Sequence, residues 1–426
     1  MLHFLYSLFF RLALPIVLLR LWWQGRQSPE TRERWQQRLG YVKRSPEPVI
    51  WVHAVSVGET IAAAPLVKTL LQRQPDIPIL VTAMTATGSE RARAMFGDTV
   101  RYAFSPYDTP GAVRRFIDRV NPRALVIMET EIWPNMIALS HARQVPVFLI
   151  NARLSARSAR GYTRVASLVR PLLDGVSWIA AQADEDARRF LCIGAHEGTV
   201  SVTGSIKFDV EITPEIRVEA ARTRDNLGSD RPVWIAASTH SGEDEEILDA
   251  HRRLLAIHPD ALLIIVPRHP ERFDAVAALI RQLNFRLARR SAGDPADDVQ
   301  VYLGDTMGEL LMLYGVSDIG FLGGSLIERG GHNPLEPAAW GIPVITGPHV
   351  FNFETIYRQL ADDRAVSTVA NADELASRLQ ELVADPVLAK RAGDNALAVV
   401  DANRGALERV VTGIIRRIRE PGAGSR

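Results

Sequence analysis

Short runs of uninterrupted hydrophobic residues recur along this chain, separated by stretches with helical periodicity. The runs are Val49–Ala54, Ile79–Thr82, Ala124–Met128, Val147–Ile150, Trp178–Ala181 and Val200–Val202. Strands covered on both faces lose the alternation of polar and apolar residues and read as continuous apolar segments. Between them, Glu59–Gln72 and Ser155–Leu173 read as helices, and Ala64, Val67 and Leu71 of the first share one face. Strands alternating with helices predict a parallel, doubly wound α/β sheet. The pattern pauses at Lys207–Pro214, taken as a linker, and restarts with Val233–Ala237, Leu262–Val266, Val299–Tyr302, Ile319–Leu322 and Val344–Thr346. Leu407–Ile418 reads as a closing helix and Gly422–Arg426 as a frayed tail. The expected organisation is a flank over 1–44, one α/β domain over 45–206, a linker over 207–214, a second domain over 215–404 and a closing segment over 405–426. A length of 426 residues suits two such domains.

The amino-terminal flank follows a different pattern. Leu2–Leu19 is strongly apolar, is interrupted by Arg11 and Pro15, and is followed by Trp22, Trp23 and Arg26. No small-residue cleavage site follows, which argues against a signal peptide. Residues 1–44 hold eight Lys or Arg against two acids, a charge of +6, which leaves −5 for the rest of a chain whose net charge is +1. A basic end that is also the apolar end points to a membrane surface rather than nucleic acid. A spanning helix would have to hold Arg11 in lipid; an interfacial helix with Trp at headgroup depth fits the sequence equally. The remaining alternative is a helix packed on its own domain or on another subunit. Cys192 is the single cysteine, so a disulfide framework and a cysteine metal site are excluded, and a reducing compartment fits.

Candidate chemistry gathers at the ends of the apolar runs, where open α/β sheets bind ligands. Glu59 follows the first run in Ser56-Val-Gly58-Glu59. A carboxylate there can take a proton from an attacking hydroxyl, or can simply complement the dipole of a first helical turn. Glu129-Thr130-Glu131 follows Ala124–Met128 and either orients a hydroxyl or caps a helix ahead of Trp133-Pro134-Asn135. Arg153 and Arg157 follow a third run and suit a carboxylate or phosphate; Lys207 lies at the junction. Pro267-Arg268-His269-Pro270 stiffens another strand end and offers cations to an anionic nucleotide. Gly323–Glu336 is rich in glycine, which lets backbone N–H groups approach phosphate, and Asn333 with Glu336 predicts a capping box. No Gly-x-Gly-x-x-Gly follows the first strand and no Walker loop is present, so dinucleotide binding loses support. Asp184-Glu-Asp186 has a metal-type spacing but opens a helix, and the ten histidines lack metal-binding spacing, so neither a metal nor a cofactor is expected.

Taken in order, these segments resemble the bacterial 3-deoxy-D-manno-octulosonic acid (Kdo) transferases of lipopolysaccharide synthesis. The resemblance rests on His53–Glu59, Met128–Asn135, Asn151–Ser158, Gly204–Asp209, Val266–Phe273, Gly304–Leu310 and Gly330–Glu336, and it covers nearly the whole chain. It implies two facing Rossmann-like domains of the GT-B type behind an apolar anchor helix. It implies inverting, metal-independent transfer of Kdo from CMP-Kdo to a lipid A precursor, at the cytoplasmic face of the bacterial inner membrane. By the same resemblance Glu59 is the general base, and Glu129 and Lys207 stabilise the transition state. Pro267, Arg268, Met307, Gly308, Glu309, Asn333, Pro334, Leu335 and Glu336 fall on the CMP-binding segments. Lys207 and a helix amino terminus at Asn333 would then receive the departing charge, and Arg153 or Arg157 the donor's carboxylate. The competing expectations are a UDP-sugar transferase or epimerase, and a membrane-anchored nucleotide-binding scaffold. No motif fixes how many Kdo residues are added.

Overall fold

The computed structural model describes residues 2–24, 34–294 and 298–419. The chain divides into two units, Met1–Asp209 with Arg404–Arg426, and Val210–Asn403. Arg26 and the tail Gly422–Arg426 lie outside the described residues.

The first unit is built on a seven-stranded parallel sheet: β1 Val49–His53, β2 Ile79–Ala83, β3 Arg101–Phe104, β4 Pro122–Met128, β5 Val147–Ala152, β6 Trp178–Ala181 and β7 Val200–Val202, in the order β3-β2-β1-β4-β5-β6-β7. The second unit repeats the plan with β8 Val233–Thr239, β9 Leu262–Pro267, β10 Leu287–Arg289, β11 Val301–Leu303, β12 Ile319–Leu322, β13 Val344–Thr346 and β14 Val366–Thr368, in the order β10-β11-β9-β8-β12-β13-β14. Both are doubly wound α/β units, preceded in the chain by the apolar helix Leu2–Gln24.

Strand β1 shows why the apolar runs are continuous. Ile50 and Val52 enter the core on one face, while Val49 and Trp51 enter the core on the other. The Trp51 ring packs 4.7 Å from Phe116, and its indole N–H donates to Thr82 Oγ1 at 2.8 Å. Truncating Phe116 to Ala would cost about 3–5 kcal/mol through lost burial and the cavity left behind. β8 behaves alike: Trp234 and Ala236 face one core, Val233 and Ile235 the other.

The structure departs from the sequence reading in three places. β3, β10 and β14 are additional strands, and each lies at a sheet edge. Their outer residues are partly exposed, so they lack the doubly covered apolar signature. The stretch Ser155–Leu173 is two helices, Ala156–Arg164 and Ala166–Leu173, broken at Val165 with φ −117° and ψ 34°. The closing helix, Ala406–Arg419, joins the first unit: Val410, Val411 and Ile414 enter the same core as Ile50. Asp209 fixes its start by accepting from the N–H groups of Gly405 and Leu407, both at 2.7 Å.

Strand order places the functional residues. In the first sheet the winding reverses between β1 and β4; in the second it reverses between β8 and β12. At such switch points adjacent loops leave in opposite directions and open a crevice beyond the carboxyl ends of the strands. Glu59 follows β1 and Glu129 follows β4 directly; His240 follows β8 directly and Gly323 follows β12.

Candidate active site

At the first switch point the chain turns from β1 into the helix Val57–Arg73. Ser56 caps that helix: its Oγ accepts from the Glu59 N–H at 3.2 Å. The Glu59 carboxylate folds back and accepts from the Val55 N–H at 2.8 Å and from the Ser56 hydroxyl at 3.2 Å. The Glu59 backbone and side chain thus both take part in closing the first helical turn. Burial pushes the Glu59 carboxyl up to about 7, and the charges of Glu131 and Glu129 add to the rise. The two hydrogen bonds oppose it without cancelling it.

Glu129 has φ +58°, a left-handed conformation that a side chain with Cβ adopts at a cost. That turn carries its carboxylate to Lys207, whose Nζ lies 3.0 Å from Glu129 Oε1. Lys207 sits in the short turn Ile206–Phe208 beyond β7. Asn151 holds this turn in place. It lies in β5 with φ +55°, is fully buried, and its Oδ1 accepts from the Ile206 N–H at 3.2 Å. Sequence reasoning noticed Asn151 only as a neighbour of the arginines; its positive φ was the missing signal. Thr130 bonds the Arg153 carbonyl, and Arg153 and Arg189 both place positive charge near Asp186. Asp186 accepts from the Leu154 N–H at 2.9 Å, so this carboxylate serves the local backbone. Arg157 is exposed. Beneath the site, His53 is fully buried with Nδ1 3.0 Å from Thr82 Oγ1, and burial drives its pKa down to about 4, so the ring is neutral. The first unit thus brings Glu59, Glu129, Glu131 and Lys207 together.

The second switch point is built from histidines and arginines. His240 leaves β8 just after Ser238, which has φ +57° at an irregularity in the β8–β9 register. Its Nε2 lies 3.0 Å from His332 Nε2, and the two rings stack with centroids 5.2 Å apart. His269 meets His240 edge-on at 5.4 Å. Burial lowers His240 to about 4 and His332 to about 3, helped by neighbouring histidines and Arg268. Arg268 is exposed, and its charge acts on Glu336 as well as on both histidines. Burial raises the Glu336 carboxyl, while Asn333 and Arg268 restrain it.

Three expectations for this half change. The N–H groups of Gly324, Ser325 and Leu326 are taken by a resident anion: Glu243, fully buried, accepts from them at 2.7, 3.0 and 3.0 Å. That part of the glycine-rich segment is held by protein rather than offered to phosphate. Gly323 serves close packing, because a Cβ there would meet the Ser238 carbonyl oxygen at 2.7 Å. Asn333 does not form a capping box. The helix Leu335–Trp340 is six residues long, its cap position is Pro334, and Asn333 Oδ1 accepts from the Leu335 N–H at 3.2 Å. So short a helix gives little dipole for an anion at Asn333. Glu309 is likewise committed. It receives Arg290 through Nε at 3.1 Å and Nη2 at 2.8 Å, together with the Thr306 hydroxyl. The Arg290 bond holds its carboxyl below the ordinary value. Met307 is exposed, and Gly308 turns with φ +88°.

Residues 33–210 match the family described as 3-Deoxy-D-manno-octulosonic-acid transferase (kdotransferase), and residues 245–399 match Glycosyl transferases group 1. A 3-deoxy-D-manno-octulosonic acid transferase of Haemophilus influenzae is 43% identical over 96% of this chain and 97% of its own. The corresponding protein of Bordetella pertussis is 38% identical over 95% of this chain and 97% of its own. The UDP-GlcNAc 2-epimerase of Neisseria meningitidis, solved with UDP-GlcNAc, shares the fold with a TM-score of 0.57 at 15% identity, over 87% of this chain and all of that one. Identity of 43% over 96% of the chain, together with the family match over residues 33–210, places this chain in the 3-deoxy-D-manno-octulosonic acid transferase family of glycosyltransferases.

Proposed function

We propose that this protein transfers Kdo from CMP-Kdo to a hydroxyl of a lipid A precursor, with inversion and without a metal, at the cytoplasmic face of a bacterial inner membrane. The observation that carries the mechanism is the Glu59 carboxyl, pushed up to about 7. A base of that strength exchanges protons readily near neutral pH. Glu59 takes the proton of the acceptor hydroxyl as its oxygen bonds to the anomeric carbon. The bond from that carbon to the CMP phosphate breaks, and its electron pair leaves on the phosphate. A phosphate leaving group needs no acid to depart, only stabilisation of its charge. Lys207, anchored 3.0 Å from Glu129, supplies part of that stabilisation, and Glu129 holds the ammonium in position.

The second unit binds the CMP moiety. Pro267 and Arg268 at the end of β9, the turn Met307-Gly308-Glu309 and the segment Asn333-Pro334-Leu335-Glu336 form its contacts. Arg268 meets the phosphate, and the neutral His240–His332 pair offers hydrogen bonds without a second full charge. Glu309 acts by fixing its turn against Arg290. The helix Leu2–Gln24, long and apolar enough to interact with a bilayer, attaches the protein to the membrane that carries its acceptor.

The test is direct. The purified protein is incubated with CMP-Kdo and a lipid A precursor, with EDTA added once the donor has formed, and the lipid is followed by mass spectrometry. A gain of one or more Kdo masses, lost in Glu59→Gln, supports the reading. Undiminished turnover in Glu59→Gln refutes the mechanism; no gain, with competition by UDP-sugars instead of CMP, refutes the donor.

A further inference from the structure

The helix Leu2–Gln24 has two different long faces. Phe4, Phe9, Leu12, Ile16, Leu19 and Trp23 are each between 66% and 70% exposed, a continuous apolar row. On the opposite face Ser7 and Leu21 are buried. Near its start the helix is pinned to the first unit by polar contacts. Tyr6 donates its hydroxyl to Asp108 Oδ2 at 2.9 Å, and Ser7 donates to Asn135 Oδ1 at 2.9 Å. His3 Nε2 lies 3.1 Å from the same Asn135 oxygen.

These pins reach the interior. Asp108 and Asn135 are each 1% exposed. Asp108 also accepts from the N–H groups of Asn135 and Met136 at 3.0 and 2.8 Å, and so caps the helix Pro134–His141. Asn135 returns a bond from Nδ2 to the Asp108 carbonyl at 2.7 Å. Beyond the other end of the apolar helix, the turn Trp35–Leu39 belongs to the same unit: Gln37 Oε1 accepts from the Phe104 N–H at 2.9 Å, and Arg38 donates to the Met84 carbonyl at 2.7 Å. Both flanks of the helix are therefore tied to one folded body.

A helix of 23 residues is about 34 Å long, comparable to the hydrocarbon core of a bilayer. If it crossed, its two flanks would lie on opposite sides of the membrane, and Tyr6 and Ser7 would be separated from Asp108 and Asn135. Mid-helix chemistry agrees. Pro15 has no N–H, so the Arg11 carbonyl lacks its helical donor next to an exposed guanidinium. At the centre of a bilayer an Arg side chain is costly; at headgroup depth water and lipid phosphate satisfy both groups. Arg11 and Arg20, both exposed, select an anionic surface.

We infer that this helix does not cross the membrane: it lies in the plane of an anionic leaflet, clamped to the first unit through Tyr6 and Ser7 on Asp108 and Asn135, with its apolar row facing the lipid. The inference rests on the membrane reading above and adds a consequence for the site. Asn135 closes the segment that begins at Glu129 and includes Glu131, so the clamp holds the acceptor-side loop at the level of the headgroups.

The test uses the full chain with Cys192→Ser and single substitutions Leu5→Cys, Leu12→Cys or Leu19→Cys, spin-labelled and bound to vesicles of phosphatidylethanolamine and phosphatidylglycerol. Depth is read from relaxation by oxygen and by a water-soluble nickel chelate. An in-plane helix puts all three labels at one shallow depth within a few ångströms. A crossing helix puts residue 12 deepest, with residues 5 and 19 each displaced by about 10 Å along the normal, and overturns the inference. Labels shielded from oxygen, as in a contact between copies of this chain, overturn it too. In Tyr6→Phe with Ser7→Ala, the label at position 5 should broaden in depth while vesicle binding persists; an unchanged label refutes the clamp. No donor enters these experiments, so loss of the CMP-Kdo assignment leaves them standing, whereas failure to bind vesicles at all removes the membrane reading itself.

Discussion

The two sheets share one topology and end in opposite chemistry. At the β1–β4 switch point three carboxylates act on one another and one of them, Glu129, pairs with Lys207; at the β8–β12 switch point arginines act on a cluster of three histidines. Burial acts on both and produces opposite results. It raises Glu59 to about 7, making a base that titrates near neutrality, and lowers His240 and His332 to about 4 and 3, keeping them uncharged there. The fold supplies the location, and the residue type placed at each strand end decides whether it handles protons or anions.

The sharpest way to break this division is Glu59→Gln. Turnover should fall by about 10²–10⁴-fold, the range for a lost general base, while CMP affinity measured by calorimetry stays within about twofold. A matching loss of CMP affinity would mean that the halves do not divide the labour as proposed. Next is Arg268→Ala, which should weaken CMP binding by about 10–100-fold, as expected for about 1.5–3 kcal/mol from a charged hydrogen bond. It should leave the pH dependence set by Glu59 unmoved. Glu243→Gln removes a buried carboxylate shared by four backbone N–H groups and should cost the second unit about 1–3 kcal/mol in denaturant unfolding. The first unit should keep its own stability. At the small end, Glu408→Gln breaks the exposed Arg73–Glu408 pair and should leave the denaturant midpoint almost unmoved. A larger change would show that surface charge matters here as much as buried charge.

The central strands were legible because residues such as Ile50 and Trp51 are buried on opposite faces of one sheet, which leaves no polar position to interrupt the run. β3, β10 and β14 were not, because Arg101, Arg289 and the pair Ser367-Thr368 leave no continuous apolar run, whereas the remaining edge strand, β7, keeps Val200 and Val202. The glycosyltransferase fold and the apolar amino-terminal helix were legible at the same level. Within the site, Glu129 stands out as an acid directly after an apolar run, and Glu59 as one a short turn beyond another. The contact between Glu129 and Lys207 depends on a left-handed turn and on Asn151, neither of which leaves a mark in composition. Glu243 was invisible for another reason: beyond the neighbouring His240 N–H, its partners lie 81 residues and more away, and from the sequence it is one more acid opening a helix. The same long-range contact changes the reading of the glycines, whose N–H groups appear available until their acceptor is located.

The account stands or falls on Glu59 as the base, and the pH dependence of kcat/KM tests it most directly. A folded-state carboxyl near 7 is protonated below that value, so kcat/KM should fall about tenfold per pH unit on descending from pH 7, and the residual rate of Glu59→Gln should lack that limb. A rate that stays level down to pH 5, or a limb that survives in Glu59→Gln, would contradict the assignment and move the proton acceptor elsewhere.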